Sequence, residues 1–256
     1  MPQLPTLFVS HGAPDFILGD HPAISVLRDI GRRHPTADAI VIISAHWIRY
    51  PVGITSGANP DTIHDFSGFG DALYQLHYPA RGEPALAETL ATQLTRSGLE
   101  AQTVADRGLD HGAWVPLMMA YPKADIPVIQ ISLPSDNLQH CIQLGEALMP
   151  LRHQNILIIG SGGSVHNLRT MNREQHTDHW AGEFENWLKQ AVEEGNTESL
   201  ADPQRSTPLF TRAHPTVEHY APLLVARAAA GTRPNGSRLH SSFTWGNIGM
   251  AMFEFH

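Results

Sequence analysis

The sequence predicts an α/β fold, a single layered domain spanning residues 1–256 with helices packed against a sheet. Three observations predict it. Four short apolar runs have the length and Ile/Val content of buried strands, helical patterns lie between them, and no Ser/Gly-rich linker or shift of composition divides the chain. A length of 256 residues allows one large domain or two small ones, because a domain averages roughly 150 residues. The missing linker therefore decides for one.

In chain order, TLFVS at 6–10 and AIVIISA at 39–45 read as the first two strands. A helix from Glu83 to Ser97 follows, with Pro84 in its first turn, Leu86, Leu90 and Leu94 at every fourth residue, and Gly98 to end it. IPVIQISL at 126–133 is the third strand. The lone cysteine, Cys141, then lies among Leu138, Ile142 and Leu148 at helical spacing, which predicts a buried structural thiol. NILIIGSG at 155–162 is the fourth strand. Beyond it, Trp180, Phe184, Trp187, Leu188 and Val192 share one side of a helix that Gly195 terminates, and aromatics at that spacing predict core. Asn196 to Pro208 is polar and contains proline, so it reads as a surface connection. In AHPTVEHYAPLL at 213–224, Pro215 and Thr216 read as a helix start, with Thr216 as the cap, Glu218 in the first turn and His219 inside the helix.

Composition narrows the function. Hydrophobic residues make up 42% and charged residues 16%, which predicts a sizeable core and excludes disorder. A net charge of −8 has the wrong sign for holding a nucleic-acid backbone. No apolar run reaches the roughly 18 residues of a membrane span, and MPQLP carries no basic leader, so the expectation is a cytoplasmic protein. The 16 histidines nearly equal the 17 Lys and Arg together. Imidazole titrates near neutrality and is the commonest protein metal ligand, so metal binding and proton transfer come forward.

Position selects among the histidines. FVSHGAP runs into His11, IISAHW into His46, and IIGSGGSVH reaches His166 after a glycine turn. Ligands in open α/β sheets bind beyond the carboxyl ends of strands, so these three segments can converge. Gly12, Gly160, Gly162 and Gly163 fit turns that need positive φ or a close approach of another group. His214 and His219, if both helical, stand roughly 140° apart and cannot share one ion. His219 is the better oriented. His176 and His179, in the polar segment NREQHTDH, read as a solvated pair. GSGGSVH lacks the closing glycine of a nucleophile elbow and the third glycine of a dinucleotide fingerprint, and there is no H-E-x-x-H or P-loop motif.

FVSHGAPD, VIISAHW, TIHDFSGF, LDHGAWVPL, GSGGSVHNLR and HPTVEHYAPLL, in this order, resemble the LigB-type class III extradiol ring-cleavage dioxygenases, within them the 4,5-DOPA dioxygenase branch. The resemblance runs from about residue 6 to residue 250. It implies a three-layer α/β domain with a mixed, largely parallel central sheet flanked by helices. It also implies a non-haem Fe(II) centre that opens a catechol ring with O2 to a muconic semialdehyde, on a DOPA-like 3,4-dihydroxyphenyl substrate. His11, His46 and His219 match metal ligands. His166 matches the acid/base and also lies within coordinating reach in zinc-loaded relatives, so it carries both roles, and His111 matches a position that contacts substrate hydroxyl or oxygen. Many extradiol enzymes complete their triad with a carboxylate, whereas here the matching residue is His219 beside Glu218, and Val217 stands where the plant HPxxP pattern has a proline. An all-histidine set also suits Zn(II), the plausible occupant of purified protein. The other readings of the same histidines are a zinc-dependent hydrolase and a non-enzymatic interaction module. The expected partners are a small-molecule catechol and O2, with no nucleic acid and no membrane. The expected substrates are para-substituted catechols such as DOPA or protocatechuate, with a few basic groups of the pocket to hold a carboxylate.

Overall fold

A computed structural model describes residues 3–173, 176–232 and 234–256. Met1 and Pro2 of the leader reading, and Glu174 and Gln175 of the NREQHTDH segment, lie outside the described residues. The strands are β1 (Thr6–Ser10), β2 (Ala39–Ile48), β3 (Val52–Thr55), β4 (Ala101–Val104), β5 (Val128–Leu133), β6 (Ile156–Gly162), β7 (Gly236–His240), β8 (Phe243–Thr244), β9 (Ile248–Gly249) and β10 (Met252–Phe255). Eight of them form one sheet in the order β4-β3-β5-β2-β6-β1-β10-β7, while β8 and β9 pair separately. The four sequence-predicted strands are its contiguous parallel centre, β5-β2-β6-β1, with antiparallel pairings at β3/β5, β1/β10 and β10/β7. The sheet is mixed, as expected.

Period-2 alternation builds the three layers. Ile40 and Ile42 of β2, with Leu157 and Ile159 of β6, face one core, where the helices Pro22–Arg33 and His111–Ala120 supply Leu27, Ile30, Trp114 and Leu117. Ala39, Val41 and Ile43 face the other with Ile156 and Ile158, against Leu90 and Leu94 of Pro84–Arg96, Leu144 of Leu138–Leu148 and Val225 of Ala221–Ala229. Neighbouring residues of one strand thus serve opposite cores, which is why these strands read as unbroken apolar runs. A third cluster packs Trp180, Phe184 and Leu188 of His179–Glu193 against Phe8, Phe253 and Phe255. Cys141 is fully buried and its thiol is pushed up to about 12 by that burial, so it is the inert core residue expected.

Three expectations need correction. His219 is not inside a helix: residues 215–220 form turns, the helix begins at Ala221, and the Thr216 hydroxyl donates to Glu218 Oε1 at 2.9 Å instead of capping backbone N–H groups. Asn196 to Pro208 is not merely a surface connection. It contains the short helices Thr197–Ala201 and Pro203–Ser206 and buries Leu200, because Asn196 caps the first by accepting from Ser199 N at 3.1 Å. Of the four glycines, Gly12 alone has a positive φ, 65°. Gly160 and Gly162 lie within β6, and a Cβ there would come within 2.1 Å of the carbonyl oxygens of Pro222 and His219 respectively. Close approach is thus their reason. Gly163 meets nothing nearer than 3.6 Å.

Candidate metal centre and substrate cavity

Three parallel strands end at one place. His11 follows β1 directly, its backbone N–H donating to Gly162 O at 3.1 Å, and Gly12 turns the chain away. His46 stands on an irregular stretch of β2: Ile43 pairs with Ile131, but the next pairing is Ile48 with Leu133, and such bulges re-aim side chains. His166 follows β6 in a loop pinned by its N–H to Ala213 O at 2.9 Å. His219 is fastened to the same strand end, its carbonyl accepting from Gly163 N at 3.0 Å. His111 opens the helix His111–Ala120.

All five predicted site histidines line one cavity of about 330 Å³, within the range usual for small-molecule sites. The rings of His11 and His46 have centroids 4.9 Å apart, with Nε2 3.0 Å from Nε2. His219 lies 5.4 and 5.0 Å from those rings. His111 is as near, 5.4 Å from His11 and 4.0 Å from His46, so that His11, His46 and His111 form one compact set of potential ligand atoms and His166, Glu218 and His219 an adjoining one. His166 stacks on His219 at 3.4 Å and 6°.

Three of these rings have Nδ1 tied to oxygen. His11 Nδ1 lies 3.0 Å from Ser161 Oγ, His111 Nδ1 2.9 Å from Asp65 Oδ1, and His219 Nδ1 3.1 Å from Glu218 Oε1. The Ser161 link has a cause in the sequence. Pro116 has no N–H to give the carbonyl four residues back, Gly112 O, and the Ser161 hydroxyl donates there instead, leaving its oxygen to accept from His11. Assigning the ring proton to Nδ1 in all three leaves Nε2 as a lone-pair donor, the tautomer a metal needs. His219 Nε2 is buried without a hydrogen-bond partner.

Burial keeps His11, His46, His166 and His219 neutral. Burial, then the neighbouring imidazoles, lower His11 and His219 well below 6.5, and burial brings His46 down to about 3. Burial also lowers His166. Asp65 is pushed up by burial, but its hydrogen bonds from His111 and that ring's charge outweigh this and hold it at about 2. Imidazole lone pairs converging in a largely apolar pocket, backed by carboxylates, fit a divalent cation of borderline softness. Gly112 lets the rings close up, since a Cβ there would meet Ser44 Oγ at 2.3 Å and His46 Cδ2 at 3.0 Å.

Other sequence expectations resolve cleanly. His214 is buried, but its Nε2 donates to Ser164 O at 3.0 Å and it does not line the cavity. His176 and His179 are exposed, and His179 pairs with Glu183 at 3.1 Å. Sequence reasoning gave no role to Asp65, which sits in the quoted TIHDFSGF, to Ser161, or to the apolar lining residues Phe66, Phe69, Leu168, Met171 and Trp245. No Lys or Arg is among the described residues that line the cavity. A larger cleft of about 750 Å³, between Ile17–Arg32 and Met118–Asp125, has no histidine in its lining.

Comparison with known proteins agrees with this geometry. The family model described as the catalytic LigB subunit of aromatic ring-opening dioxygenase matches residues 5–253. The chain is 38% identical to a 4,5-DOPA dioxygenase extradiol of Beta vulgaris, covering 98% of this chain and 96% of that one. To the protein of the same name from Escherichia coli K12 it is 37% identical, over 89% and 85%. The crystal structure of an uncharacterised protein from Escherichia coli K12 superposes with a TM-score of 0.82 at 29% identity, covering 99% of this chain and 100% of that one.

Proposed function

The chain belongs to the LigB family of aromatic ring-opening dioxygenases, and from that premise we propose an iron(II) enzyme that acts on 3,4-dihydroxyphenyl substrates of the DOPA class. The reaction is extradiol: a catechol ring opens beside its two hydroxyls and both atoms of O2 enter a muconic semialdehyde. The observation that carries the reading is the convergence of five histidines in one cavity, three with Nδ1 tied to oxygen.

In this reading His11, His46 and His219 hold the metal, and the unpartnered Nε2 of His219 supports its place in the set. When bound, iron(II) supplies the electronic contact between an electron-rich catecholate and O2. His166 is the acid/base. Burial keeps its ring neutral near pH 7, so a ring nitrogen can take a hydroxyl proton and later return it. Its stacking on His219 also leaves it within coordinating reach. His111, fixed through Asp65, presents Nε2 to a substrate hydroxyl or oxygen. Phe66 and Phe69 wall the cavity and exclude water from the reacting end.

Oxygen uptake decides the reading. Protein loaded anaerobically with iron should consume one O2 per catechol and yield a yellow semialdehyde. Zinc-loaded protein should be silent, because zinc has no redox chemistry. Hydrolysis of a phenyl ester by zinc-loaded protein under nitrogen, with no oxygen uptake on any catechol, would refute it in favour of a hydrolase.

A further inference from the structure

The cavity has two chemically different ends. At the inner end His11, His111 and His219 are 2%, 6% and 4% exposed. At the outer end Leu168, Met171 and Trp245 are 61%, 40% and 37% exposed, three of the few large apolar side chains that the described residues present to solvent. Ile248 and Phe69 share the lining with them and the imidazoles, so a molecule whose oxygens reach the histidines runs outward over a largely apolar wall. The nearest cations along the chain, Arg169 and Arg173, are exposed and are not in the lining.

The position of Trp245 is built, not incidental. Its backbone is left-handed, φ 49°, a conformation that bulky residues rarely adopt and that persists where surroundings enforce it. Those surroundings are visible. Trp245 O accepts from Asn172 N and Asn247 N, both at 3.0 Å, while Asn247 Nδ2 donates to Thr170 O at 2.8 Å and Thr177 Oγ1 to Gly246 O at 2.8 Å. The segment carrying Leu168 and Met171 is thereby laced to the turn carrying Trp245, and the two form one rim.

We propose that Leu168, Met171 and Trp245 form a specificity subsite for an uncharged, apolar substituent on the catechol, one that extends outward from the ring. The proposal rests on the catechol-cleaving reading of the site, and within the 3,4-dihydroxyphenyl class it ranks uncharged 4-substituted catechols above DOPA itself. Aliphatic or aryl chains gain by covering the rim. A carboxylate or zwitterionic chain of equal length loses hydration there and meets no lining cation.

The test compares kcat/KM of iron-loaded protein for catechol, 4-methylcatechol, 4-ethylcatechol and 4-butylcatechol, and for 3,4-dihydroxyphenylpropionate and DOPA. Isothermal titration of the same set is run alongside. Expected is a rise of up to about three- to fourfold for each methylene that the rim covers, with both charged compounds below the uncharged analogue of similar length. Trp245→Ala and, at the exposed position least able to disturb folding, Leu168→Ser should each bring the butylcatechol-to-catechol ratio down toward one. A flat or falling alkyl series, preference for the carboxylated compounds, or an unchanged ratio in both variants would overturn the subsite. Failure to turn over any catechol would count against the dioxygenase reading instead. Titration still judges the subsite in that event: affinity rising with chain length supports it, and a flat series overturns it.

Discussion

Gly162→Ala should damage the proposed metal centre without replacing any of its histidines. Gly162 is the last residue of β6, and a Cβ on it would stand 2.1 Å from the carbonyl oxygen of His219 and 3.1 Å from its carbonyl carbon. Ordinary contact begins at 3.4 Å, so the His219 backbone must retreat by more than about 1 Å, a displacement that can cost on the order of 10²-fold in rate. The obstacle is steric, since Gly162 is not among the positive-φ glycines. Retreat would also stretch the 3.0 Å bond from Gly163 N to His219 O that fastens the segment. Overpacking of this kind costs roughly 1–3 kcal/mol of stability. The assay pairs metal content with oxygen uptake and adds urea unfolding to separate local from global damage. Gly163→Ala, one residue on and with no neighbour nearer than 3.6 Å, should lose at least about tenfold less activity. Equal metal content and equal turnover in the two variants would refute the claim that His219 is positioned through β6.

His11→Ala, His46→Ala and His219→Ala should each lose stoichiometric metal, read by elemental analysis, whereas the exposed control His176→Ala should keep it; retention in His219→Ala with loss in His111→Ala would move the third ligand to His111. His166→Gln should retain at least part of the metal yet lose about 10²–10⁴ in turnover, and complete metal loss would make His166 an obligatory ligand. Burial takes His214 down to about 3 in the fold, against roughly 6.5 unfolded, so the unfolded chain binds the extra proton between these values. The stability from His214 is therefore full above pH 6.5 and is lost as pH falls toward 3. Urea unfolding of metal-free protein should show a pH slope in that window reduced by about 1.4 kcal/mol per unit in His214→Gln.

The parts of the fold legible in the sequence are those whose physics is local. The central strands are covered on both faces and read as continuous apolar runs, and their boundaries differ from the expected ones by three residues or fewer. The outer strands left no such mark. β4 (AQTV) is only partly buried, β7 (GSRLH) is polar at the sheet edge, and β10 (MFEF) carries Glu254, whose charge is answered by Arg33 at 2.7 Å from a distant helix. The helix His111–Ala120 hides for the opposite reason: it is apolar on nearly all sides and contains Pro116, so it shows neither an amphipathic period nor an uninterrupted run. The turn before Ala221 reads as helix in the sequence because Thr216 and Glu218 look like a cap and an acidic first turn. In the structure they bond to each other, and Glu218 also bonds the His219 ring.

The candidate site divides along the same line. Histidines at strand ends were legible because a parallel sheet delivers its carboxyl ends to one edge. What would fit those rings to hold a metal was not, because it is tertiary. The oxygen that fixes His11 comes from Ser161, 150 residues away, and the one that fixes His111 comes from Asp65, 46 away. Ser161 can serve because a proline in a third element leaves Gly112 O free to hold the serine hydroxyl. Buried imidazoles that met only one another would have no reason to prefer one tautomer, and burial alone would simply keep them neutral. The oxygens on Nδ1 leave Nε2 of His11, His111 and His219 as the free nitrogen of each ring beside one shared cavity, and that is the arrangement by which a histidine-rich strand edge would hold the proposed metal.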